Sequence, residues 1–200
     1  MQAVWPFALA SLLIELTPGP NMTYLALVGV TVGRRAGYAA TAGVALGLAG
    51  LGLAAALGLA AIVTASPMVY GALRWLGVLY FIYLAWDAWR DGLPSAAIRV
   101  ESDTGFFVRG LISNLLNPKA AIFYVAVLPT FIDPARPAEG QALALTALYV
   151  VVATAVHATI VTLAGFLRPL LTNDRLVSIT SRVFAVALLG IAAWLAWSTR

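Results

Sequence analysis

The sequence predicts an all-α membrane protein: six transmembrane helices arranged as two inverted three-helix repeats, with the first and fourth helices broken at proline motifs. Three observations lead there. Of the 200 residues, 62% are apolar and only 10% charged, a balance outside the range of soluble domains. Six apolar stretches each reach the roughly 20 residues needed to cross about 30 Å of hydrocarbon. Scarce residues also recur at matching places in the two halves of the chain.

The first span covers about residues 4–31 and contains "IELTPGPNMTYL" at residues 14–25. A proline has no amide hydrogen and displaces the carbonyl four residues earlier, so Pro18 is expected to free the carbonyl of Ile14 and Pro20 that of Leu16. Gly19 loosens the backbone between them. No Lys or Arg precedes Trp5, and the prolines lie where a cleavage region would sit, so no removable signal peptide is expected.

The second span, about 38–64, is rich in small residues, including Gly43, Gly47, Gly50, Gly52 and Gly58. Small residues four apart let backbones approach closely. Gly43 and Gly47 therefore predict tight packing against a neighbouring helix, with a homodimer face as the alternative. The third span, about 68–89, ends near Asp87 and Arg90, read as an interfacial pair. Residues 91–105 are the most polar stretch. They divide a single integral membrane domain, residues 1–200, into repeat 1 (about 1–92) and repeat 2 (about 104–200).

The fourth span, about 106–132, is interrupted by "NPK", where Pro118 is expected to free the carbonyl of Asn114. The fifth, about 142–167, holds the only histidine, His157, among Thr154, Thr159 and Thr162. Two roles are open to it: a hydrogen-bonded imidazole between helices, or a proton relay. The sixth span is about 176–197. Trp75, Trp86, Trp89, Trp194 and Trp197 suit interfacial aromatic belts.

A displacement of 100 positions aligns Phe7 with Phe107, Leu16 with Leu116, Pro18 with Pro118 and Tyr24 with Tyr124. One of 108 aligns Arg74 with Arg182, Trp86 with Trp194 and Trp89 with Trp197. Chance alignment of apolar helices is the competing explanation. If the repeat is real, three spans per half force the second half into the bilayer with opposite orientation, the plan of many secondary transporters. Connections after the first, third and fifth spans hold Arg34, Arg35, Arg90, Arg99, Arg109, Arg168, Arg175 and Arg182, against Arg74, Arg136 and Arg200 on the other side. The positive-inside bias then puts both termini outside.

The chemistry concentrates at the two breaks. Glu15, Thr17, Pro18, Gly19, Pro20 and Asn21 surround the first; Asn114, Asn117, Pro118 and Lys119 surround the second. Ionisable groups at mid-bilayer depth are expensive and mark functional sites by default. Glu15 and Lys119, of opposite sign at similar depth, are expected to face each other. They would either lock two helices as an ion pair or receive a solute, Glu15 taking an ammonium or a coupling proton and Lys119 a carboxylate. A plain proline kink is the alternative for each break.

With no cysteine, disulfides and thiolate metal sites are excluded. No phosphate-binding loop, paired-His motif or hydrolase elbow is present, so no enzymatic centre, cofactor, metal or ATP coupling is expected. The net charge of +4 is spread as single arginines at segment ends, which points to a bilayer and away from nucleic acid.

"TPGPN" at residues 17–21, "GRRAG" at 33–37, and "NPKA" at 117–120 leading into "LPTFIDP" at 128–134 resemble the LysE/RhtB translocators of bacteria. The resemblance implies a six-helix inner-membrane exporter of amino acids, driven by the proton-motive force. It implies that Pro18, Gly19 and Pro20, with Asn117, Pro118 and Lys119, form the family's two motifs. Many relatives carry Asp where this chain has Asn21, which favours neutral cargo such as homoserine, threonine or leucine-type amino acids over lysine or arginine. The alternatives are a metal-cation exporter of the same wider group, for which one His and no Cys supply few soft ligands, and a non-transporting scaffold or lipid-interacting protein.

Overall fold

A computed structural model describes residues 4–58, 102–133, 135–167 and 174–198, with single positions between 68 and 89. Every regular element among the described residues is helical. The first predicted span is two helices, α1 (Val4–Leu16) and α2 (Pro20–Thr31), separated by residues 17–19. Pro18 cannot donate into α1, and Pro20 opens α2 at a position where a missing amide hydrogen costs nothing. Gly19 between them is extended, with φ −161°.

Helix α3 (Arg34–Ala56) starts four residues before its predicted edge. Gly33 (φ 120°) and Gly58 (φ 80°) flank it in conformations that disfavour side chains. Helix α4 (Asp103–Leu115) is capped by Ser102, whose hydroxyl accepts the Gly105 amide at 3.3 Å. After residues 116–117 the chain re-enters helix as α5 (Pro118–Ile122), then a π-helical turn (Phe123–Val127) and a 3-10 turn (Leu128–Phe131). The path bends by 52° at this second break. Helices α6 (Ala138–Leu167) and α7 (Asp174–Ser198) complete the order.

By length and composition α3 and α6 can each cross a membrane, and the bent unit of α4 and its continuation counts as a third. The predicted third span is described only at single positions, and Asp87, Arg90 and the loop at residues 91–101 lie outside the described residues. The six-span, two-repeat expectation extends over them.

Around an apolar core, the exterior is unusually rich in large apolar residues and a set of polar residues is buried. Trp5, Leu13, Leu46, Leu163 and Phe166 are exposed, whereas Ser11, Glu15, Asn21, Ser113, Asn114, Asn117 and His157 are buried. Hydrocarbon tolerates apolar side chains outside and requires polar ones to find partners inside. The chain is built as a membrane protein.

Helix α3 is the centre of the packing, lying against α4 and α6. The expectation for Gly43 and Gly47 is met: a Cβ at Gly43 would collide with the Phe107 carbonyl and Leu111 amide of α4, and one at Gly47 would crowd Asn114. Gly110 of α4 answers from the other side, against the Ala40 carbonyl.

At one end of the bundle Arg35 pairs with Asp103 at 2.7 Å, and Arg34 lies 4.7 Å above the Phe166 ring. The connections after α2, before α4 and after α6 thus share one end. At the other end, Phe7 packs edge-on against Phe131 at 5.2 Å, and Gln141 ties down the turn at Asp133. Because the Arg35–Asp103 pair is well exposed, Arg35→Ala is expected to change stability by at most about 0.5 kcal/mol. Thermal unfolding in detergent checks this.

Candidate functional site at the two helix breaks

The site is assembled from the ends of four helical pieces. Glu15, in the last turn of α1, is only 5% exposed. Removing a carboxylate from water costs several kcal/mol unless partners replace the water. Two side chains of α6 do so: the Tyr149 hydroxyl donates to Oε1 at 2.5 Å, and His157 Nε2 lies 3.1 Å from Oε2. With His157 Nδ1 buried and unpartnered, the Nε2–H form serves the carboxylate.

Glu15 and Lys119 face one cavity, as expected, but form no direct salt bridge. The Lys119 ammonium instead donates to the Thr17 carbonyl at 2.8 Å, just past the end of α1. A cation there is favoured because the carbonyls of a helix C-terminus carry partial negative charge. The Lys119 stem passes Gly19, where a Cβ would meet its Cδ at 3.4 Å. The sequence suggested attraction between opposite charges, but a nearer donor on α6 takes each carboxylate oxygen and the amine finds a helix end.

The expected free carbonyls also change. Ile14 accepts from the Thr17 amide at 3.1 Å, and Asn114 accepts from the Asn117 amide at 3.0 Å. The chain tightens by one residue at each break, a common way to satisfy helix ends. No described residue donates to the Leu16 carbonyl.

An amide relay joins the breaks. Ser113 Oγ donates to Asn21 Oδ1 at 3.0 Å, and Asn21 Nδ2 donates to Asn114 Oδ1 at 2.8 Å. Asn114 is fully buried and its Nδ2 has no partner. Asn117 caps α5, its Oδ1 accepting the Lys119 amide at 3.0 Å. Helix α2, by contrast, begins with no side-chain cap.

Glu15, Gly19, Asn21, Asn114, Asn117, Lys119 and His157 line one small cavity with Met22 and Ala120. Its volume of about 10 Å³ is room for a single water. Pro18 is exposed and Pro20 buried; both shape the backbone around the cavity. Thr17 contributes its carbonyl, while its hydroxyl donates back to Leu13.

The LysE type translocator family model matches residues 12–199. This chain belongs to the LysE type translocator family. Leucine efflux proteins of Klebsiella pneumoniae and Salmonella typhimurium are each 30% identical to it, with 95% and 96% of the translocator and 92% and 93% of the relatives aligned. A leucine efflux protein of Enterobacter is 28% identical over 96% of this chain and 94% of its own. No solved structure matches the translocator.

Sequence reasoning missed Tyr149 and Ser113 of the translocator's junction. A signal for Tyr149 was present: Leu145, Tyr149, Ala153, His157 and Val161 are all buried on α6, and a four-residue step keeps side chains on one helical face. Nothing in the sequence marked Ser113, whose part depends on which way the Asn21 amide points.

Proposed function

We propose that this translocator is a secondary transporter of the bacterial inner membrane that exports neutral amino acids by alternating access, coupled to protons. The carrying observation is the buried polar junction where two broken helices meet inside an apolar exterior. The bacterial leucine efflux proteins that align with nearly the whole chain support this direction of transport and a neutral cargo.

The geometry suits a zwitterion. Glu15 and the Thr17 carbonyl offer acceptors for an ammonium. Lys119, the unpartnered Asn114 Nδ2 and the uncapped start of α2 offer donors for a carboxylate. A cavity the size of one water holds no amino acid, so the breaks part on loading. Lys119 then leaves the Thr17 carbonyl for the carboxylate, and the ammonium takes the place of His157 or Tyr149 at Glu15. Each charge exchanges one partner for another, which keeps desolvated charge matched throughout. A proton arriving at Glu15 or His157 from outside displaces the ammonium and resets the empty carrier.

The domain division, 1–92 and 104–200 as oppositely inserted repeats with both termini outside, belongs to the same proposal. It is supported by the two breaks near residues 17–19 and 116–117 and by the shared end that holds Arg34, Arg35 and Asp103.

Efflux of preloaded labelled amino acids from proteoliposomes, with a competition panel of neutral, basic and acidic amino acids, tests the function. An imposed proton gradient is expected to accelerate efflux, and absence of any amino-acid flux would refute the proposal. Lys119→Met, which keeps the stem and deletes the charge, is expected to weaken amino-acid affinity about 10–100-fold through loss of a charge-assisted hydrogen bond. Concentration-dependent flux measures it.

A further inference from the structure

A second cavity, of about 310 Å³, lies at the end of the bundle that holds the Asp133 turn. Its walls include Ala55 and Ala56 of α3, Tyr124, Val125 and Leu128 after the second break, and Ala142 of α6. The volume is at the lower end of the ~300–1,000 Å³ typical of small-molecule sites. Apart from Tyr124 these side chains are aliphatic, so the cavity suits the side chain of a cargo and not its charged head.

One residue of the apolar cavity is linked to the polar one through two contacts. The Tyr124 ring lines the apolar cavity and lies edge-on to Tyr149 at 5.5 Å, and Tyr149 holds Glu15 at the polar junction. We infer that the apolar cavity is the vestibule into which the amino acid passes from the polar junction, with Tyr124 as the partition between them. Its wall at Leu128 and Ala142 is the surface that selects aliphatic side chains. The inference rests on the export reading above.

Three features equip Tyr124 to move. It stands in the π-helical turn Phe123–Val127, and π-turns strain the regular hydrogen-bond ladder and gather at functional sites. Its hydroxyl lies near Thr146 without a well-formed hydrogen bond between them, so little is broken when the ring swings. Gly52 of α3 faces both Tyr124 and Thr146 and presents no side chain to either. By contrast Phe123, the preceding residue, is fixed: its ring stacks on Tyr149 at 3.7 Å. Tyr124 has edge-on ring contacts with Phe123 and Tyr149, whereas Phe123 is stacked.

The chain has no cysteine, so single thiols report access directly. Leu128→Cys, in proteoliposomes, is expected to react with a membrane-impermeant, charged methanethiosulfonate reagent, several-fold more slowly in saturating leucine. Ala142→Trp, which fills the vestibule, is expected to lower leucine efflux about tenfold more than alanine efflux. Reaction of Leu128→Cys with lipid-soluble maleimide alone would mean the cavity is a crevice for lipid tails, and the inference falls. Equal loss of leucine and alanine efflux at unchanged abundance overturns the selective wall. If Ala142→Trp does not accumulate, substrate protection at Leu128→Cys decides. Absence of amino-acid efflux by the unmodified protein would instead refute the export reading itself.

Discussion

Replacing Glu15 by Gln leaves the protein folded and in normal amount, and lowers amino-acid efflux by about 100-fold or more. The amide has the shape of the carboxyl group: its oxygen still accepts from the Tyr149 hydroxyl that now sits 2.5 Å from Oε1, and its NH2 donates to His157 Nε2 once the imidazole proton moves to Nδ1. The loss is therefore electrostatic. A hydrogen bond to a charged group contributes about 1.5–3 kcal/mol, and about 2.8 kcal/mol corresponds to a hundredfold. The amide also cannot exchange a proton, so the remaining flux should ignore an imposed proton gradient. A carboxylate serving only to hold α1 against α6 would give the opposite pattern: reduced abundance, with normal flux per folded molecule. Quantifying folded protein by size-exclusion chromatography alongside flux separates the two.

The second large effect is on the fold. Gly43→Val is expected to prevent α3 from docking on α4, costing at least about 3 kcal/mol and leaving little folded protein. The obstacle is backbone, the Phe107 carbonyl and the Leu111 amide, and backbone within a helix cannot rotate aside as a side chain can. Gly50→Val is the control, because nothing lies within 4 Å of a Cβ there. Both substitutions replace Gly by the same residue in the same helix, so any difference in yield or melting temperature reports the crossing and not helix propensity.

The contrast between Gly43 and Gly50 also shows what the sequence made legible. The breaks at Pro18–Pro20 and Pro118 were readable because proline acts locally through a missing donor and a steric clash. The close approach at Gly43 and Gly47 was readable because only small side chains allow it. The partners of Glu15 were not. Tyr149 lies 134 positions away in sequence, and choosing it over Lys119 depends on how α6 is rotated against α1, which composition does not encode. The fate of the Ile14 and Asn114 carbonyls was hidden for a different reason: a one-residue tightening of a helix end is set by small dihedral adjustments. Asn117 looked like a ligand-binding amide by type, whereas its side-chain oxygen is occupied in capping α5.

The contact between the Lys119 ammonium and the Thr17 carbonyl has a bearing on economy of operation. In the proposed cycle, opening without cargo leaves the ammonium and the helix-terminal oxygen to water, a weaker partner for the cation than a carboxylate. Occupancy by a solute that brings its own carboxylate removes that obstacle. The bond that closes the resting molecule thus makes opening to water alone, in that cycle, less favourable than opening to a solute whose carboxylate takes a charge-assisted hydrogen bond from the ammonium.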